Sequence, residues 1–82
     1  MIFDRRTSPR EDVYKPARIA FRGSRPILGC IVRNMSEGGA CLAVETSVDI
    51  PDAFHLVFST GEPYRNCYVM WRNEKHIGVA FA

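Results

Sequence analysis

The chain has 82 residues, 46% of them hydrophobic and 24% charged, and a formal net charge of +2. That length holds one domain. The composition is too apolar for a disordered segment, and so small a charge does not by itself argue for a nucleic-acid polymer as partner. The apolar run from Ala40 to Val44 is far shorter than the ~20 residues of a membrane helix. The opening MIFDRRTSPRED is charged and lacks the apolar stretch of a secretion signal. The expected location is the cytoplasm, with no membrane insertion.

In chain order, residues 1–12 lack hydrophobic alternation and predict an arm outside the domain, which is expected to span residues 13–82. Short β-branched and aromatic runs punctuated by Gly, Pro and Asn then predict six strands. The first is Val13 to Arg22, with Pro16 marking an edge or an irregular start. The second is Pro26 to Arg33, and Asn34 to Gly39 reads as a turn. The third is Ala40 to Glu45, with Ala40, Leu42 and Val44 on one face and Cys41, Ala43 and Glu45 on the other. Thr46 to Ala53 connects to the fourth, Phe54 to Ser59, whose Phe54, Leu56 and Phe58 share a face. Thr60 to Pro63 reads as a hairpin turn. The fifth, Tyr64 to Arg72, alternates Cys67, Val69 and Trp71 with Tyr68, Met70 and Arg72, so Trp71 is expected in the core with Phe54 and Phe58. The sixth is His76 to Phe81. Six short strands with regular turn signals predict an all-β, antiparallel six-stranded barrel, since closure removes exposed edges.

Cys30, Cys41 and Cys67 are odd in number and follow no secretion signal, so they read as reduced thiols. With His55 and His76 they show neither the paired spacing of a zinc site nor a nucleophile signature, and no Gly-rich phosphate loop is present. The expectation is no enzyme, no metal and no cofactor.

Two patterns carry binding chemistry. Arg5 precedes RTSPR, Arg6 to Arg10, where Pro9 pushes Ser8 towards an extended conformation. Guanidinium groups on such a segment can grip phosphate bidentately, match O6 and N7 of guanine, or stack on a purine face. In the segment NMSEGG, Asn34 and Ser36 can satisfy donors and acceptors on a base edge. Gly39 there is expected to permit a positive φ and a close approach of ligand to backbone. Cationic residues also dominate from Arg5 to Arg33, whereas Glu37 to Glu62 holds acids and no Lys or Arg. A basic end of this kind suits a small anionic ligand.

The two patterns together resemble the PilZ domain, whose signature is R-x-x-x-R followed further along by D/N-x-S-x-x-G. Arg6 and Arg10 match the first motif, and Asn34, Ser36 and Gly39 match the second. The segments CIVR before Asn34, CYVMWR at Cys67 to Arg72 and the ending IGVAF extend the likeness over essentially the whole chain. It looks like the short stand-alone PilZ proteins of alphaproteobacteria.

The resemblance implies a barrel that binds the second messenger cyclic di-GMP, with Arg6 and Arg10 as clamp and Asn34, Ser36 and Gly39 as platform. It implies that Arg5, just before the motif, goes with a stacked ligand dimer. It also implies a receptor that signals by ordering its arm towards a downstream protein partner, or, as the alternative, a PilZ-like adaptor that binds no nucleotide. Departures from the pattern are Asn34 for the commoner Asp, Ala80 where many relatives carry Arg, and no residues for a C-terminal helix.

Overall fold

A computed structural model describes residues 11–21 and 27–82. It contains six strands: β1 (Glu11–Ala20), β2 (Ile27–Met35), β3 (Gly39–Ala43), β4 (Ala53–Phe58), β5 (Arg65–Arg72) and β6 (His76–Phe81). They close into a barrel in the order β1-β2-β3-β6-β5-β4, every neighbouring pair antiparallel. β1 makes the closure. It pairs with β2 from Glu11 to Ala20, and its second half, Ala17 to Ala20, also pairs with β4.

Alternation along the strands builds the core. Ile19, Val32, Leu42, Leu56 and Ile77 are fully shielded, and Phe54, Phe58, Cys67 and Val79 pack with them. Burying each large side chain contributes about 1.5–3 kcal/mol. That is substantial against the roughly 5–15 kcal/mol that separates a folded domain from its unfolded chain.

Pro16 lies inside β1, opposite Ile31, without disturbing the β1–β2 ladder. Its carbonyl accepts the Ser59 N–H (3.3 Å), so its peptide edge faces the β4 side. The N–H that proline lacks would have pointed the same way, where pairing with β4 has not yet begun.

Several expected boundaries move. β1 begins at Glu11, so Glu11 and Asp12, expected in the arm, are its first residues. Arg22 and Pro26, expected at strand ends, and the rest of the arm lie outside the described residues. Asn34 and Met35 belong to β2 because Asp12 and Glu11, distant in sequence, stand opposite them. Glu45 is not in β3: after Ala43 the chain turns away, and the Val44 N–H donates to the Lys75 carbonyl (2.9 Å). Ser59 and Tyr64 fall outside β4 and β5.

The largest correction is Trp71. The β5–β6 register shifts between Val69 and Trp71, so Val69 faces Val79 and Trp71 faces Gly78, with Met70 as the extra residue. Such a bulge reverses the alternation that follows it. Trp71, expected in the core, is therefore 47% exposed. Arg72, expected outside, turns across the barrel end. Its guanidinium donates to the carbonyls of Ser47 and Ile50 (both 2.8 Å) and pairs with Asp52 (2.9 Å). Ser47, the buried polar residue of that connection, donates its hydroxyl to the Asn73 carbonyl (2.6 Å).

Candidate functional site

The N-x-S-x-x-G motif spans the end of β2, a tight turn and the start of β3. The Ser36 N–H donates to the Gly39 carbonyl (2.8 Å), and the Gly38 N–H donates to Ser36 Oγ (3.3 Å). The Ser36 hydroxyl hydrogen therefore remains available to an outside acceptor. The Phe81 N–H donates to the Gly38 carbonyl (2.9 Å), fastening the turn to β6.

Gly39 does not have the positive φ expected of it; Gly61 is the glycine with that conformation among the described residues. The requirement for glycine comes instead from β6: a β-carbon on Gly39 would overlap the Val79 carbonyl oxygen. Gly39 is buried, and its close neighbour is backbone of the same barrel. It fixes where Asn34 and Ser36 stand.

Asn34 is half-buried at the end of β2, opposite Asp12 on one side and Cys41 on the other. Glu11 stands opposite Met35. Arg10 immediately precedes Glu11 in the sequence. The β1–β2 ladder thus brings the point where the arginine motif joins the barrel beside the N-x-S-x-x-G turn. The candidate clamp residues Arg5, Arg6 and Arg10 themselves lie outside the described residues.

From Asn34 the registers trace a row across the outer face: Asn34 opposite Cys41, Cys41 opposite Gly78, Gly78 opposite Trp71. A second row runs from Gly39 to Ala80 to Tyr68. Between the motif and the two aromatics the surface is built of Gly39, Cys41, Gly78 and Ala80, all small. It ends at Tyr68 and Trp71, each about half exposed (50% and 47%). The indole lies over Gly78, where a β-carbon would overlap it. Ala80, a small residue opposite Gly39 and Tyr68, keeps this surface low.

The aromatic border was missed in the sequence because strict alternation puts Trp71 inside. The available signal was Gly78 on the hairpin partner, since a tryptophan over a strand needs a residue without a side chain beneath it.

Away from this face, Cys30 and Cys67 are buried, and desolvation pushes both thiols up to about 12, so they are protonated and inert at neutral pH. Lys15 pairs with Glu62 (3.0 Å), and its hydrogen bond holds that carboxyl below its ordinary range. No described helix could cross a membrane.

The family model for the PilZ domain matches residues 4–82. No curated protein matches the chain.

Proposed function

Because the chain belongs to the PilZ domain family, whose domains in general bind cyclic di-GMP and are not catalytic, we propose that it is a cyclic di-GMP receptor. The observation that carries this reading is the β1–β2 register. Glu11 opposite Met35 and Asp12 opposite Asn34 mean that an arm leaving Glu11 starts at the edge of the motif turn.

In this reading Arg6 and Arg10 clamp the nucleotide from the arm side, using the guanidinium fork on guanine O6 and N7 or on phosphate oxygens. Asn34 and Ser36 meet a guanine from the barrel side, with Gly39 fixing their turn. The low surface of Cys41, Gly78 and Ala80 admits a flat purine, and Trp71 and Tyr68 offer it aromatic faces. Arg5 serves a second, stacked ligand molecule. Capture of the ligand orders the arm against the barrel and alters the surface offered to a downstream protein. No cofactor takes part. The ligand is a dinucleotide and not a nucleic-acid polymer, and the site of action is the cytoplasm.

Titration of the protein with cyclic di-GMP and cyclic di-AMP tests the reading. Micromolar or tighter binding of the first and none of the second is expected, because adenine presents an N6 donor where guanine has the O6 acceptor. Equal affinities would overturn it. Absence of heat with both would leave a nucleotide-free adaptor.

A further inference from the structure

Arg33 sits where β2 changes register against both neighbours. On the β1 side the shift falls between Asp12 and Lys15, so Val13 and Tyr14 oppose Arg33 alone. On the β3 side it falls between Val32 and Asn34, leaving Arg33 as the extra residue against Leu42 and Cys41. Bulges re-aim side chains and concentrate beside binding sites. Here Val32 faces the core, and Arg33 is exposed next to half-buried Asn34. Two consecutive residues thus depart from alternation at the motif.

The Arg33 guanidinium lies over the ring of Tyr14, 5.1 Å from its centroid, and Tyr14 is itself 71% exposed. A cation–π contact with a ring need not consume the N–H donors of a guanidinium, and those donors match a phosphate. Among the other described cations, Lys15 pairs with Glu62, Arg65 lies over Phe81 at 4.1 Å, Arg72 donates to the carbonyls at the barrel end and Lys75 to the Glu45 carbonyl, while Arg18 stands opposite Gly29 and Val57, away from the motif. The nearest acids by register and sequence are Asp12 and Glu37, both exposed.

We propose that Arg33 is a phosphate-binding residue of the nucleotide site, outside both motifs, and that Tyr14 is its positioning residue. This rests on the cyclic di-GMP reading above. Arg33 receives a phosphodiester oxygen pair from the β1 side of the turn while Asn34 and Ser36 meet the base. Tyr14 acts through Arg33, holding the guanidinium plane so that less rotamer freedom is lost on binding.

The test is calorimetric titration of cyclic di-GMP into wild type, Arg33→Ala, Arg33→Lys, Tyr14→Leu and the Arg33→Ala/Tyr14→Leu double variant, with thermal melts to check folding. Losing the guanidinium should weaken binding about tenfold or more, with Arg33→Lys between Arg33→Ala and wild type. Tyr14→Leu should weaken it about threefold in the wild-type background and not at all in the Arg33→Ala background. The phosphorus resonance of the bound nucleotide should differ between wild type and Arg33→Ala. If wild type binds and Arg33→Ala binds within about twofold of it, the proposal fails while the receptor reading stands. Equal effects of Tyr14→Leu in both backgrounds would refute the positioning role. A wild type that does not bind overturns the receptor reading and this proposal with it.

Discussion

Trp71 lies across Gly78, its register partner on β6, so closely that no side chain fits beneath the indole. The pair links fold to site. The bulge at Met70 turns Trp71 outward, and Gly78 lets the ring lie along the same outer face as Cys41 and Asn34.

Gly78→Ala and Gly39→Ala should therefore differ in kind. At Gly78 the clash is with an exposed side chain that can swing aside. The variant should lose little stability but show altered tryptophan emission and weaker nucleotide binding. At Gly39 the clash is with the Val79 backbone carbonyl, which is held in the β6 ladder. Overpacking of this kind costs about 1–3 kcal/mol or more. Urea denaturation followed by circular dichroism should rank Gly39→Ala as the less stable variant, and the reverse ranking would contradict the packing described.

Arg72→Ala should destabilise the barrel end. It leaves the Ser47 and Ile50 carbonyls without their donor and releases the connection between β3 and β4. Hydrogen bonds to a charged donor are worth about 1.5–3 kcal/mol. Since Arg72 points away from the face of Asn34 and Trp71, cyclic di-GMP affinity at a temperature where the variant is folded should be nearly unchanged. Denaturation and titration of the same preparation check both halves.

The buried thiols predict a loss of stability in alkali. Cys30 and Cys67 stay protonated in the folded barrel up to about 12, whereas in the unfolded chain they ionise near 8.5. Between those values the native state holds more protons, so stability falls as pH rises. Unfolding free energy should be level through neutral pH and decline above about 8.5, less steeply in Cys30→Ala and Cys67→Ala. In the native protein a thiol reagent should modify half-buried Cys41 before the other two. Bound cyclic di-GMP should slow that reaction, since Cys41 lies between Asn34 and Gly78.

On the arm, Arg6→Ala and Arg10→Ala should each weaken cyclic di-GMP binding by about 2–5 kcal/mol, the range for truncating a desolvated charged contact, with the β-sheet spectrum unchanged. In the proposed reading Arg5 sets the stoichiometry: were the segment extended on binding, neighbouring side chains would point to opposite sides, and Arg5 and Arg6 would serve different ligand layers. Two molecules per chain are expected at saturation, falling to one when position 5 is made apolar. A one-to-one endpoint in the wild type, titrated well above the dissociation constant, would refute the second layer.

Much of the barrel was legible because core residues alternate within single strands, as Ala17 with Ile19, Ala40 with Leu42, Phe54 with Leu56 and Phe58, and Ile77 with Val79. The motif residues Asn34, Ser36 and Gly39 were legible as a pattern, and so was the turn between them. What alternation misread follows from contacts between distant residues. Asn34 extends β2 because Asp12 pairs with it. Gly39 is glycine because of Val79, a neighbour forty positions on that no local rule reveals. Trp71 and Arg33 depart from the period at bulges, whose location depends on how three strands settle their registers.

The proposed site joins the arginine arm to the N-x-S-x-x-G turn on the outer face of β2, β3 and β6. Amide chemical-shift mapping during titration with cyclic di-GMP tests it most directly. Shifts are expected to concentrate on Arg6 to Asp12, Arg33 to Gly39, Cys41 and Gly78, together with the Trp71 indole N–H, and to leave His55 to Val57 on β4 unmoved. Shifts centred on β4, or none at all at saturating nucleotide, would contradict it.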